Sequence, residues 1–259
     1  MVSTSRRFKQ LRYLLTSAAF TNESDVKKRV LERYSSEVEV DHYANVADVG
    51  LFWDEEAVVS HYLSQVTRRP LRTLVVGCGG GREAFALEKA GLEVVGIDYS
   101  KEMIEAAKRN AHTRGKSIEF VTTSLEEYKS PAGSFDFVFL TSAIAGHLRG
   151  QEKRVAFYSA ASRLVKNDGA VFTSPEIRPL EFKSPFFWAS QILRWRLGRQ
   201  WEKGDSARSF IGRHNKDEKL VFYHFYPSEE QFLLEVRAAG LTPAFHAEGS
   251  YILRLLGSA

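Results

Sequence analysis

The sequence is poor in cysteine: Cys78 is the only one among 259 residues. An intrachain disulfide is therefore excluded, and nothing indicates an oxidising compartment. No apolar run approaches the roughly 20 residues that cross a bilayer as a helix. No Cys/His group has the spacing of a zinc site, and no carboxylate set is typical of a magnesium site, so we expect no metal. These absences favour an ordinary globular domain, which we expect to be cytoplasmic.

Residues 1–22 contain no acidic residue, and their basic residues equal the whole net charge of +4. Those residues are Arg6, Arg7, Lys9 and Arg12. The rest of the chain is formally neutral, which argues against a nucleic-acid enzyme, because such enzymes need a broad basic surface. Apolar residues recur here at helical spacing, at Phe8, Leu11, Leu14, Leu15 and Ala18. We therefore favour an amphipathic helix packed on the domain over a transit peptide.

From residue 71 onward, short apolar runs alternate with helical patterns. The runs predict strands over residues 71–76, 93–97, 118–122, 135–140 and 170–173. Helices are predicted over residues 82–90, 101–112 and 151–165, with Ser100 as an N-cap. This alternation indicates βαβ units and a parallel sheet that is covered on both faces. Two final strands, 241–248 and 251–256, flank a tight turn and predict an antiparallel end to the sheet.

The same pattern divides the chain into four segments. Residues 1–70 are predicted to form an N-terminal helical cap, and 71–177 the core. Residues 178–226 are aromatic, basic and irregular, which indicates an inserted lid. Residues 227–259 complete the core with a hairpin and with a helix that begins at the capping pattern Ser228 to Gln231.

A glycine-rich loop, Gly77-Cys78-Gly79-Gly80-Gly81, stands between the first strand and the first helix of the core. Asp98 follows about 20 residues later, at the end of the second strand, in the arrangement typical of nucleotide-binding folds. Glycines let the backbone approach a ligand, and the helix N-terminus offers unpaired N–H groups. The loop also fits the G-x-G-x-x-A spacing of nicotinamide and flavin enzymes, so by itself it leaves the cofactor open.

The closing hairpin and the 70 residues before the first strand favour one family. With its Gly-Cys-Gly-x-Gly loop, the chain resembles the small-molecule class I S-adenosylmethionine-dependent methyltransferases over residues 71–175, and more loosely over 226–257. The resemblance implies an α/β fold, a Rossmann-like three-layer αβα sandwich. Its seven-stranded sheet would be mostly parallel, with an antiparallel C-terminal strand. It also implies S-adenosyl-L-methionine as the cofactor and S-adenosyl-L-homocysteine as the product.

The resemblance also assigns cofactor-binding residues. Four loop residues would wrap the methionine part of the cofactor: Gly77, Cys78, Gly79 and Gly81. Asp98 would bind the ribose, and Tyr99 and Met103 would lie beside the adenine. Ser124, followed by Leu125, stands where the family commonly has an acid that reaches the adenine amino group. Val75 replaces another common acid, so Thr141 becomes a candidate for supporting the cofactor's amino group.

Catalytic candidates come from the loops at the carboxyl ends of the strands. His147, after the fourth strand, is the first choice for a general base, and a contact with a backbone carbonyl is its structural alternative. His224 and Tyr226 come second, with packing in an aromatic cluster as the alternative. Tyr34 and Tyr43 are expected to close the other side of the cofactor cleft.

Residues 186–197, rich in aromatic residues and arginine, predict a lid over an apolar substrate. Packing or a homodimer contact is the second interpretation of this segment, and a membrane-surface helix the third. The Asn/Asp-Pro-Pro-Tyr/Phe motif of adenine and amide methylation is absent, and no cysteine is placed for attack on cytosine. We expect in-line methyl transfer to O, N or S of a small, partly apolar or aromatic molecule. An NAD(P)-dependent oxidoreductase and a non-catalytic cofactor-binding protein are the alternatives.

Overall fold

The computed structural model describes residues 23–142, 144–178, 192, 202–211 and 218–257. The helix predicted within residues 1–22 lies outside the described residues. Of the predicted lid helix 186–197, only Ile192 is described. Within the described ranges, no helix combines the length and the apolar character needed to span a bilayer.

The core is one sheet of seven strands. They are β1 Arg72–Val76, β2 Glu93–Asp98, β3 Glu119–Thr122, β4 Phe135–Leu140, β5 Val165–Thr173, β8 Leu241–Ala247 and β9 Ser250–Leu255. Their order is β3-β2-β1-β4-β5-β9-β8. Strands β1 to β5 pair in parallel, whereas β9 is antiparallel to both of its neighbours. The predicted mostly parallel sheet with an antiparallel C-terminal strand is confirmed.

Helices cover both faces of this sheet. They are α1 Glu23–Tyr34, α2 Glu37–Asn45, α3 Trp53–Gln65, α4 Arg82–Lys89, α5 Lys101–Thr113, α6 Gln151–Leu164 and α7 Glu229–Ala238, with a 3-10 helix at Ile144–His147. Side chains alternate along a strand, so Leu74 and Val76 face a core shared with α6 and α7. Val75 faces the opposite core, shared with α3, α4 and α5. The three-layer αβα sandwich is confirmed.

The two predicted N-caps are present. The Ser100 hydroxyl accepts from the Met103 amide at the start of α5, and the Ser228 hydroxyl accepts from the Gln231 amide at the start of α7. One strand boundary was predicted wrongly: β5 begins at Val165, the last residue of the predicted helix, and it includes Asn167-Asp168-Gly169, a sequence typical of a turn. Gly169 lies within β5, where an added Cβ would be 2.6 Å from the Asp136 carbonyl, so the turn signal marks close strand packing.

The segment read as an irregular insertion contains an antiparallel two-stranded sheet. Its strands are β6 Asp205–Ile211 and β7 Glu218–His224. Residues such as Val221, Phe222 and Tyr223 favour strands, but their unbroken apolar character conceals the alternation that would have predicted one. Phe222 and Val221 pack against Val26 and Val30 of α1, so this hairpin meets the N-terminal helices.

Candidate active site

The glycine loop folds back sharply between β1 and α4. Gly77, Gly79 and Gly81 have φ values of +75°, +48° and +102°, a region that residues with a Cβ rarely adopt. The amides of Gly77 and Cys78 donate to the Ile97 carbonyl at 2.8 and 3.0 Å, which holds the loop against β2. The loop leads directly into the N-terminus of α4. The N-terminal end of a helix favours anionic groups because its N–H groups are unpaired.

Asp98 ties the end of β2 to this loop. Its carboxylate accepts from the Gly79 amide at 3.0 Å and from the Ser100 amide at 2.9 Å, one bond to each oxygen. Burial raises the pKa of Asp98 to about 6, although the amides of Ser100, Gly79 and Tyr99 favour the charged form. A carboxylate has about four acceptor positions, so the group can still accept a further hydrogen bond.

The other predicted cofactor residues lie around Asp98 or Gly77. Tyr99 has a buried hydroxyl without a hydrogen-bond partner in the described part of the chain. The Thr123 amide donates to the Asp98 carbonyl, which brings the half-buried Ser124 close to the same strand end. The Thr141 hydroxyl donates to the Gly77 carbonyl at 3.3 Å. Met103 and Leu125, by contrast, are 1% and 2% exposed and pack into apolar clusters.

Helix α2 lies directly on the loop. The Asn110 side-chain amide donates to the carbonyls of both Ala44 and Gly80, at 3.1 and 2.9 Å, and so joins helix to loop. The Tyr43 ring lies against Gly79, where an added Cβ would be 3.5 Å from its Cδ1. A Cβ on Gly80 would lie 2.4 Å from the Tyr43 carbonyl oxygen. The N-terminal segment therefore covers the loop through backbone contacts that only glycine permits.

We expect Gly80→Ala to displace α2, because the atom it meets is backbone and cannot rotate away. Overpacking of this kind costs about 1–3 kcal/mol, measured as the free energy of unfolding in urea. Limited proteolysis should cleave the α2 segment faster in the variant. Gly91→Ala is the control. A Cβ there meets open space, so this variant strains the backbone at a φ of +87° without contacting α2. Equal proteolysis of α2 in the two variants would contradict the proposed contact.

A buried ion pair joins α3 to the loop helix. Glu55, fully buried, accepts from both terminal nitrogens of Arg82 at 2.7 and 3.0 Å. The same carboxylate accepts from the Ser142 hydroxyl, just past β4, and from the Phe52 amide. Arg82 also pairs with Glu83, and burial raises the pKa of that carboxyl to about 7 while Arg82 opposes the shift.

Sequence analysis missed Glu55. It lies on the buried face of α3 together with Val58, Val59 and Tyr62, at helical spacing, so an acid on an apolar face was the signal. Its carboxylate accepts four hydrogen bonds, a full complement, so Glu55 acts as a tie between elements rather than as a free ligand.

His147 connects three elements at the carboxyl edge of the sheet. Its Nδ1 lies 3.2 Å from the Phe222 carbonyl, and because a carbonyl only accepts, Nδ1 carries the proton in this bond. Its Nε2 lies 2.9 Å from the Tyr34 hydroxyl. Burial raises the pKa of Tyr34 well above its usual value, so the phenol remains the donor. In this arrangement the lone pair of His147 is already occupied by Tyr34.

Tyr226 lies in a buried ionic network. Its hydroxyl donates to Glu235 at 2.8 Å, and the same carboxylate pairs with Arg154 through two bonds of 3.0 and 2.7 Å. Arg154 also donates to Glu202 at 2.7 Å. Burial raises the pKa of Glu202, but the bonds from Arg154 and the Gln151 amide outweigh it and lower that pKa. This placement favours a structural role for Tyr226.

His224, two residues earlier, has a different environment. Its Nδ1 lies 2.7 Å from Asp205 Oδ1, whereas its buried Nε2 has no hydrogen-bond partner among the residues that the structure describes. Ligand atoms of Glu202, Asp205 and His224 lie within 4.8 Å of one another, a spacing that could suit a cation. The Arg154 guanidinium already contacts Glu202, however, and the Nδ1 proton faces Asp205, so these atoms form a hydrogen-bonded ionic cluster instead.

Residues 74–169 match a family model described as a methyltransferase domain. A "Ubiquinone biosynthesis O-methyltransferase" of Brucella anthropi is 33% identical over 136 residues, which are 51% of this chain and 53% of that protein. Residues 74–169 are therefore similar to a methyltransferase domain, and the surrounding residues are similar to part of an O-methyltransferase. It spans about half the length of the curated relatives it matches.

Solved structures agree with the methyltransferase fold. A SAM-dependent methyltransferase of Methanosarcina mazei gives a TM-score of 0.57 at 16% identity and covers 80% of this chain and 99% of its own. The Burkholderia thailandensis 1,6-didemethyltoxoflavin-N1-methyltransferase, described with bound substrate and S-adenosylhomocysteine, gives a TM-score of 0.55 at 17% identity. It covers 90% of this chain and 88% of its own. The matched methyltransferase domain contains Asp98, His147 and the glycine loop, whereas Glu55, Asp205 and His224 lie outside it.

Proposed function

We propose that this chain transfers the methyl group of S-adenosyl-L-methionine to a hydroxyl oxygen of a small molecule. The observation that carries the proposal is the glycine loop at positive φ with the buried carboxylate of Asp98 bonded to it. Oxygen is favoured over nitrogen or sulfur because relatives at 30–33% identity carry the name O-methyltransferase. The bound cofactor supplies a methyl group already activated by a sulfonium charge.

The residues around the loop fit such a cofactor. The Asp98 carboxylate retains acceptor capacity beyond its backbone amide bonds, which suits the hydroxyls of a ribose. The Tyr99 hydroxyl, buried and unpartnered, offers a donor beside it, and burial keeps this phenol protonated by raising its pKa. The N-terminus of α4, preceded by Gly81, favours a carboxylate such as that of the methionine part. Gly77, Cys78, Gly79 and Thr141 are proposed to bind the same part, and Ser124 the adenine.

The rest of the chain is proposed to position the acceptor and exclude water. Helix α2 covers the loop, and the Tyr34–His147 hydrogen bond joins α1 to the carboxyl edge of the sheet. Strand β7 packs against α1, so the β6–β7 sheet is proposed to form the acceptor side of the cleft. Holding two reactants in line can lower a barrier by about 7–11 kcal/mol, so alignment is the main contribution we expect from these elements.

Labelled methyl transfer tests this function. The protein is incubated with methyl-labelled S-adenosyl-L-methionine and with matched series of phenols, aliphatic alcohols, amines and thiols. We expect label in hydroxyl compounds, with aromatic or partly apolar members preferred. Label found only in amines or thiols would overturn the assignment to oxygen. Binding of S-adenosyl-L-homocysteine without transfer to any series would support a non-catalytic cofactor-binding protein instead.

The affinity for S-adenosyl-L-homocysteine is expected to rise with pH through the titration of Asp98. The pKa of this carboxyl is about 6 in the folded chain, against about 3.9 unfolded. Protonated Asp98 therefore adds to the free energy of unfolding below pH ~4, and this contribution is lost as the pH rises through ~6. Binding of the ribose hydroxyls, by contrast, requires the ionised carboxylate. A pKa near 6 implies about tenfold tighter binding at pH 7 than at pH 5.

Calorimetric titrations from pH 5 to pH 8 measure this dependence, because the ligand's own amino and carboxyl groups do not titrate in this range. Asp98→Asn should bind weakly and without the pH trend. Glu83→Gln is the matched variant, since burial raises the pKa of Glu83 to about 7 and this residue lies in the first turn of α4, next to the glycine loop. If the pH dependence disappears in Glu83→Gln but persists in Asp98→Asn, the titrating group is Glu83 and the role given to Asp98 is contradicted.

A further inference from the structure

His224 and Asp205 form a buried, oriented pair outside the cofactor loop. The side chains of His224 and Asp205 are 0% and 1% exposed, and the imidazole Nδ1 lies 2.7 Å from Asp205 Oδ1. The other oxygen of Asp205 accepts from the Glu202 amide at 2.8 Å, which fixes the carboxylate. Because a carboxylate only accepts, Nδ1 carries the ring proton and Nε2 presents a lone pair.

The Nε2 atom of His224 is buried, and no residue in the described ranges bonds to it. A buried polar atom without a hydrogen-bond partner costs about 1–3 kcal/mol of folding free energy. The unsatisfied Nε2 of His224 therefore indicates a ligand or a catalytic role. Gly204 packs closely beside the ring edge, because a Cβ there would lie 3.2 Å from His224 Cε1. The orphan atom is therefore an acceptor that awaits an O–H or N–H donor.

The position of the pair fits an acceptor site. The His224 carbonyl lies 2.8 Å from where a Cβ on Gly146 would be, and Gly146 precedes His147 in the 3-10 helix that follows β4. The Tyr226 amide donates to the Glu176 carbonyl, in the segment that follows β5. Both contacts place β7 over the carboxyl ends of β4 and β5, the edge at which α/β folds bind their ligands.

The two predicted histidines differ in what their Nε2 atoms can do. That of His147 lies 2.9 Å from the Tyr34 hydroxyl, whereas that of His224 is vacant. The groups that face the His224 pair are Glu202, Arg154 and, through Tyr226, Glu235. Arg154 pairs with both Glu202 and Glu235, so its charge is compensated within this network.

We propose that His224 is the general base for the acceptor hydroxyl and that Asp205 positions it. This rests on the proposed methyl transfer. The acceptor O–H bond breaks and its proton goes to Nε2, while the O–CH3 bond forms and the sulfonium S–CH3 bond breaks to give the thioether product. The imidazolium, stabilised by Asp205, then releases its proton to solvent. Nothing besides the acceptor and the cofactor is consumed.

Two variants test the base. We expect His224→Gln to lower kcat for the hydroxyl acceptor of the labelled screen by about 10²–10⁴-fold, with the acidic limb of the pH–rate profile lost. Asp205→Asn keeps the ring and its packing, so it should fold even if His224→Gln does not, and it should lower kcat and shift that limb. His246→Gln, at an exposed histidine, is the control and should change neither.

A second readout needs no turnover. Nitrogen-15 NMR of imidazole-labelled protein should show His224 as the Nδ1–H form, with an unprotonated Nε2 that shifts when phenol is added to the complex with S-adenosyl-L-homocysteine. An Nε2–H form, or a His224→Gln rate within threefold of the wild type, overturns the proposal. If His224→Gln methylates the acceptor as fast as the wild type, only the assignment of His224 as the base is wrong. If the wild type binds S-adenosyl-L-homocysteine but methylates no acceptor, the proposed function is wrong.

Discussion

Arg154→Ala is expected to destabilise the protein by about 3–5 kcal/mol, because it leaves buried carboxylates without their counter-charge. Glu235, fully buried, loses both of its bonds to the guanidinium, and Glu202 loses its own. At about 2–4 °C per kcal/mol for a chain of this size, the midpoint of thermal unfolding should fall by roughly 6–20 °C. Calorimetric unfolding at neutral pH measures it.

Gln151→Ala, an exposed position in the same helix, is the control and should stay within about 0.5 kcal/mol of the wild type. Glu235→Gln keeps the shape of the pair while it removes one charge, and added to Arg154→Ala it should recover part of the loss. A loss below 1 kcal/mol for Arg154→Ala would show that the network carries little of the fold's stability.

Asp98→Ala is expected to weaken binding of S-adenosyl-L-homocysteine by at least about 100-fold. The change removes the acceptor of the Gly79 amide and the acceptor capacity left for a ribose. Hydrogen bonds to a charged group contribute about 1.5–3 kcal/mol each, so the loss of two such bonds corresponds to about 10²–10⁴ in affinity. Isothermal calorimetry measures the change, with circular dichroism as the check on folding.

Asp48→Ala is the matched control for Asp98→Ala. Asp48 is an exposed acid paired with Arg114 of the next segment, and its loss should leave the affinity unchanged. An Asp98→Ala variant that binds within threefold of the wild type would remove Asp98 from the cofactor site.

The features that sequence predicted well are local in the chain. The glycine loop, Asp98 and the N-caps Ser100 and Ser228 depend on residues a few positions apart, so their pattern is visible without the fold. The parallel pairing and the antiparallel end of the sheet followed from the strand–helix alternation and the closing hairpin, whereas the spatial order of the strands was not predicted. The start of β5 was missed because Val165 continues the apolar periodicity of α6, and only pairing with β4 turns it into a strand.

The features that sequence missed depend on contacts between distant segments. Glu55 meets Arg82 across 27 positions, and Tyr34 meets His147 across 113. His224 was a candidate, but its partner Asp205 becomes visible only through the register of β6 against β7, in which the two residues are paired. Side-chain pairing across a hairpin needs the turn position, and no turn signal in residues 212–217 fixes it unambiguously.

Titration of the wild-type chain with S-adenosyl-L-homocysteine and, separately, with NADH bears most directly on the cofactor. Isothermal calorimetry at pH 7.5, a pH chosen to be well above ~6 so that Asp98 is ionised, is the measurement. We predict saturable one-to-one binding of S-adenosyl-L-homocysteine and no binding heat from NADH. Saturable binding of NADH with none of S-adenosyl-L-homocysteine would contradict the assignment of this glycine loop to a methyltransferase.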